Sequence, residues 1–206
     1  MECMIHNNLS IENQYKRAIY HELGHWLVGR EVGFDVGNIT IGESYFGVYG
    51  NSEVKPIPKT KLTSANAVYD HLFNRVCVLL AGVIADVIWH KKYEPDIDKE
   101  NDIEYFYTNG VMDKTAITDK GKINELLFIM NGIANTPTQD EKSLEDQMAK
   151  IQSEAWSRSL NLLNKNKYLE LTGKELIREF EDSQMNEFTN EYLIQLQENS
   201  RGSEGI

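Results

Sequence analysis

The run His21-Glu22-Leu23-Gly24-His25 carries the clearest chemistry in this chain. Residues four apart on an α-helix lie one turn along the same face, so two imidazoles can grip one metal ion from two corners of a tetrahedron. Glu22 falls beside that pair, too far round the helix to be the natural third ligand but placed to take a proton from a water on the metal. Such a set performs metal-assisted hydrolysis, usually of a peptide bond, with Zn2+ as the expected cofactor. The flanks agree: Ala18-Ile19-Tyr20 and Trp26-Leu27-Val28 are uncharged, while Lys16, Arg17 and Arg30 lie just outside. A dry wall holds the imidazoles neutral and keeps solvent off the carboxylate and the metal. The alternative is a buried helix that happens to carry two hydrogen-bonded core histidines. His6, His71 and His90 have no comparable spacing and read as surface or capping residues.

The elements that must position this run follow from patterning. Ser10 is a good N-cap for a first helix reaching about Arg30, with Gly33 as its left-handed stop. Val36 to Ile41 and Tyr45 to Tyr49 read as two short strands, expected to pair antiparallel, and Pro56 and Pro58 mark an extended connection. A second long helix is expected from Ser64 to about Lys92, apolar on nearly every side from Val76 to Ala85 and therefore buried. The loop Glu94 to Asp98 leads to a short helix from about Lys99 to Thr108, stopped at Asn109-Gly110. Lys122 to Met130 forms a further helix ended by Asn131-Gly132. Thr138 with Glu141, and Thr172 with Glu175, have capping-box spacing ahead of two more helices. The first carries Leu144, Met148, Ile151, Ala155, Leu162 and Leu163 at helical period. The expected organisation is a zinc-binding core over residues 1–112, a helical bundle over 113–198 and a disordered polar tail from Asn199. The fold class is mainly α (α+β), with a small sheet beside the zinc-binding helix.

Composition bounds the function. The chain has 206 residues, 41% of them hydrophobic, enough for a sizeable core without staples. Cys3 and Cys77 give no disulfide framework; Cys77 reads as core, and a reducing, cytoplasmic location is expected. No secretory leader pattern opens the chain. The apolar run Val76 to Trp89 contains Gly82 and Asp86 and falls short of the ~18 residues of a spanning helix, so no membrane span is expected. A formal charge of −11 argues against nucleic acid or anionic membrane as a partner.

Two histidines leave a third protein ligand to find, expected to be an Asp or Glu. The metzincin pattern needs Gly at position 28 and His at position 31, where the chain has Val28 and Glu31. Ala18 to Val28 resembles the peptidase domain of the FtsH family of ATP-dependent zinc metalloproteases. Asn38-Ile39-Thr40-Ile41 with Gly47-Val48-Tyr49 resembles its substrate-side strands, and Leu80-Ala81-Gly82-Val83-Ile84-Ala85-Asp86 its leucine-alanine-glycine-x-x-alanine-glutamate helix. Asn101-Asp102-Ile103 resembles its asparagine-aspartate-leucine segment. Glu154-Ala155 through Leu162-Leu163 and Leu176-Ile177 resemble its helical bundle. The resemblance spans roughly residues 15 to 181. It implies Asp102 as the third zinc ligand, the alternative for that residue being a solvated helix-cap acid; Asp98 and Asp96 are the reserve candidates, and Glu104 reads as surface. It also implies that residue 86 braces a zinc-bound histidine; the family has Glu there, and Asp86 is one methylene shorter.

No Gly-x-x-x-x-Gly-Lys-Ser/Thr loop is present, so the expectation is a stand-alone domain without the family's ATPase motor or membrane anchor. The expected activity is an ATP-independent zinc metalloendopeptidase acting on extended or unfolded polypeptide, with a homo-oligomer possible by resemblance. The strand around Val36 to Ile41, if it is a sheet edge, would take the peptide as a further strand. One rival is a small regulatory metallopeptidase that cleaves a repressor. Those enzymes carry a Glu-rich helix soon after the motif, where this chain has Gly-rich strand. The other rival is a non-catalytic relative that acts by binding, against which the retention of Glu22 argues.

Overall fold

The computed structural model describes residues 10–45, 47–93 and 117–202. Helix α1 (Ile11–Glu31) starts where Ser10 accepts a hydrogen bond from the Asn13 amide, and the chain turns away at Gly33, φ +85°. It is followed by β1 (Asp35–Ser44), β2 (Gly47–Lys55) and α2 (Ala65–Tyr93), the last opened by Ser64, whose hydroxyl accepts from the Ala67 amide at 3.1 Å. Beyond the second undescribed stretch come α3 (Ile117–Ala134), α4 (Glu141–Asn164), a 3-10 turn (Lys165–Lys167), α5 (Tyr168–Ser183), β3 (Glu187–Phe188) and α6 (Asn190–Gly202). The fold is mainly helical with one small antiparallel sheet, as the sequence pattern implies.

The two long helices α1 and α2 form the centre. Gly24 makes their close approach possible: a Cβ there would lie 2.5 Å from the Ala81 carbonyl oxygen and 2.8 Å from the Ala85 Cβ. Ile19, Leu23 and Trp26 of α1 and Val76, Leu80 and Ile84 of α2 are almost completely buried along this seam. Such burial stabilises by about 1.5–3 kcal/mol per large aliphatic or aromatic side chain. α2 is long and apolar enough to cross a membrane, but 72% of its apolar window is buried inside the molecule. Cys77, expected in the core, is there, beneath Ser159 of α4, whose hydroxyl donates to the Cys77 carbonyl at 2.9 Å.

Several details differ from the pattern. The strands are longer than expected, and β2 begins after the tight connection at Tyr45 rather than at it. The sheet order is β2-β1-β3, with β3 returning from the C-terminal part to pair Phe188 with Ile39 and Glu187 with Thr40. The strand β1 is therefore central, so the conditional assignment of Val36 to Ile41 to a sheet edge is corrected: the edge beside α1 is β2. Asn131-Gly132 does not end α3: the Asn135 amide still donates to the Asn131 carbonyl at 2.9 Å, and the Asn131 side-chain amide donates to Gln147 of α4 at 2.9 Å. Asp140, not Thr138, caps α4, accepting from the Ser143 amide at 2.9 Å, and Thr172 is a buried residue inside α5. His90, expected as a surface or capping residue, is buried edge-on to Trp89. The last helix continues through Gly202, three residues past the point where a disordered tail was expected to begin. The expected helix over 99–108 and the division at 112/113 lie outside the described residues.

Candidate metal centre

The second half of α1 delivers His21, Glu22 and His25 to one buried spot. Both imidazoles are held from behind through Nδ1. His21 Nδ1 lies 2.7 Å from Asp86 Oδ2, and His25 Nδ1 lies 2.7 Å from the Val78 carbonyl oxygen, both acceptors on α2. A carbonyl and a carboxylate can only accept, so each Nδ1 carries its proton and donates, which leaves the Nε2 atoms free to bind a metal. Those Nε2 atoms face each other at 3.1 Å. Nothing larger than hydrogen is tolerated behind them, since a Cβ on Gly82 would lie 2.5 Å from His25 Nε2 and 2.6 Å from His21 Nε2.

A third donor closes the set. Asp119, in the first turn of α3, places Oδ2 3.2 Å from His25 Nε2 and 4.0 Å from His21 Nε2. The three ligand atoms lie within 4.8 Å of one another, so His21, His25 and Asp119 form a group able to hold a metal ion. Asp102, the carboxylate favoured by resemblance, lies outside the described residues, as do Asp96, Asp98 and Glu104. Asp119 went unnoticed in the sequence because an acid in the first turn of a helix is ordinary compensation of the helix dipole. No fixed spacing ties it to the histidines. Asp86 does brace His21, and directly: the shorter side chain suffices because Gly24 lets α2 approach α1 so closely.

The electrostatics fit a site that handles charge out of water. Burial opposes protonation of His21, but the charge and hydrogen bond of Asp86 outweigh it and push His21 up to about 9. Burial raises Glu22 above the usual carboxylate range, with the two histidines pulling the other way. Asp119 is also penalised by burial, yet its contact with His25 and the nearby His21 and Lys122 hold it below the usual range. Lys122, one turn along α3, pairs with Asp119 Oδ1 at 3.3 Å.

A cleft of about 390 Å³ opens onto these groups. One wall is β2, with Tyr49, Gly50, Asn51, Ser52 and Val54 exposed to it; the floor is the α2 face carrying Arg75, Val78 and Leu79, and Thr118 and Lys122 of α3 close the far side. Glu22 lies hard against the strand, where a Cβ on Gly50 would overlap its carboxylate. Strand β2 pairs with β1 along one side, Ile41 opposite Gly50 and Thr40 opposite Asn51, and has no strand on its other side among the described residues. A free strand edge, a buried carboxylate and a donor set for a metal thus converge on one cleft. Neither family models nor curated proteins show a match to this chain. The functional reading rests on this site.

Proposed function

We propose that the chain is an ATP-independent zinc metalloendopeptidase that cleaves extended or unfolded polypeptide, related to the peptidase domain of the FtsH family. The observation that carries this reading is the donor set itself: two Nε2 atoms fixed 3.1 Å apart, a carboxylate oxygen 3.2 Å from one of them, and Glu22 beside them in the cleft. Donors about 2.0–2.1 Å from a zinc ion at tetrahedral corners lie about 3.3 Å apart, so the two short separations fit zinc well. The 4.0 Å from Asp119 to His21 closes with a small shift of one side chain.

His21, His25 and Asp119 would hold the ion, and Asp86 and the Val78 carbonyl keep the two imidazoles in the tautomer that binding needs. Zinc supplies Lewis acidity, acidifying water and polarising a carbonyl. Glu22, its carboxyl raised by burial, takes the proton of the attacking water and passes it to the leaving amine nitrogen. The edge of β2 binds the substrate as an added strand, which favours segments already extended. These 206 residues hold no Walker-type phosphate loop, so on this reading they cleave without using ATP themselves.

The test is zinc content and cleavage of an unfolded protein by the parent and by Glu22→Gln. The variant keeps one equivalent of zinc and loses about 10²- to 10⁴-fold in rate. Equal rates would overturn the mechanism. Zinc bound with no cleavage of any unfolded protein or peptide by the parent would favour the non-catalytic reading.

A further inference from the structure

Four charged groups from three helices line the cleft: Glu22, Asp119, Lys122 and Arg75. Three have work already. Glu22 and Asp119 belong to the metal site, and Lys122 pairs with Asp119. Arg75 is less committed: it feels the charge of Asp119, but among the described residues no carboxylate lies within ion-pair distance of its guanidinium and no acceptor takes a hydrogen bond from it. An arginine on an open surface needs no partner, but this one is partly buried, on the floor of a cleft. A partly desolvated cation whose five donors meet no acceptor among the described residues is a costly thing for a fold to keep. It is also well suited to take both oxygens of a planar carboxylate.

The position of Arg75 sets what it would meet. Arg75, Val78, Leu79 and Gly82 follow the helical spacing i, i+3, i+4, i+7, so they share one face of α2. Gly82 abuts both ligand Nε2 atoms, and Val78 orients His25. Seven residues of helix rise about 10 Å, which an extended peptide spans in about three residues. We propose that Arg75 is a specificity-determining residue that binds a carboxylate of the substrate two or three residues from the bond cleaved. That carboxylate is either an Asp or Glu side chain or the free C-terminus of a short peptide. The inference rests on the peptidase reading for the position of the bond but on the cleft alone for the binding.

The probes are short alanine-based peptides bearing a fluorophore and a single Glu, Gln or Lys placed at each position in turn, made as free acids and as C-terminal amides. Binding is measured to Glu22→Gln, loaded with zinc and, in parallel, stripped with EDTA. At one position Glu should bind about ten- to a hundredfold more tightly than Gln, the range of a hydrogen bond to a charged group. A gain of free acid over amide without a Glu preference assigns the site to the C-terminus instead. Added to this background, Arg75→Gln should bring the ratio to about one, Arg75→Lys should keep part of it, and Arg75→Glu should turn the preference toward Lys. The stripped protein must show the same preference, because a carboxylate bound only by the metal would lose it with EDTA. A preference that vanishes with EDTA, one that survives Arg75→Gln, or no binding preference at all overturns the proposal. A merely structural Arg75 would change thermal stability or zinc content and leave the ratio alone, and the Arg75→Lys variant decides if Arg75→Gln fails to fold. Hydrolysis by the parent without preference would sink this proposal and leave the peptidase reading standing; a preference without hydrolysis would do the reverse.

Discussion

The pair His21 and His25 and the carboxylate Asp119 reach the same point by different means. The histidines sit on one helix, each locked through Nδ1 to a second helix that Gly24 and Gly82 allow to approach within contact distance. Asp119 stands at the first turn of α3, and among the described residues its only other ion pair is with Lys122, half exposed to solvent. The difference separates a preorganised half of the site, whose geometry is set by the core, from a half that depends on where one helix begins. The histidine half should therefore fail all at once when damaged, and the carboxylate half by degrees.

The largest effect tests that contrast directly. His21→Ala or His25→Ala should abolish stoichiometric metal binding, measured by elemental analysis after dialysis. Asp119→Ala should weaken binding while leaving metal detectable at high concentration. Asp102→Ala, made beside it, separates the carboxylate that the structure brings to the histidines from the one implied by resemblance. Full metal retention in Asp119→Ala together with loss in Asp102→Ala would reverse the assignment.

That test also marks where the sequence was legible. The helical spacing of His21 and His25, the caps at Ser10 and Ser64 and the buried run of α2 are local signals, and each appears in the fold where the pattern put it. Asp119 was not legible because proximity between α1 and the start of α3 is a tertiary fact with no period in the chain. The sheet order was hidden for the same reason: β3 is two residues long and joins β1 from about 150 residues away, which turns β1 from an edge into a centre. Capping signals misled where several polar residues cluster. Thr138 and Asp140 both suit an N-cap; in the fold Thr138 accepts from the Asp140 amide, and Asp140 accepts from the Ser143 amide and caps the helix.

Gly82→Ala should come next in size. Its methyl would meet both Nε2 atoms at 2.5–2.6 Å, and both neighbours are rings fixed from behind, so they cannot swing away cheaply. Metal affinity should drop steeply while the melting temperature changes less, because the clash lies at the ligands. An unchanged metal affinity would mean that the histidine half is far less rigid than described.

The smallest effect concerns the brace and its dependence on pH. Asp86 is completely buried, and one of its oxygens holds His21 while the other has no hydrogen-bond partner among the described residues. Asp86→Asn should cost about 10- to 100-fold in metal affinity, the usual loss when a ligand histidine is deprived of its supporting carboxylate. In protein stripped with EDTA, burial works against the charged form of His21, but Asp86 more than offsets it and raises the imidazole to about 9. A folded-state value above the unfolded one, about 6.5, means that this contribution to stability is complete below pH 6.5 and is lost as pH rises through about 9. Metal binding must displace the same proton, so affinity should rise with pH across that window and level off above it. Asp86→Asn removes the charge that lifts His21, leaving burial to push it down; both pH dependences should then shift to lower pH. Measuring metal affinity and thermal stability of the two proteins between pH 6 and pH 10 reads this directly. Identical profiles would show that Asp86 holds the imidazole in place without setting its charge, and the preorganisation of the histidine half would then be geometric alone.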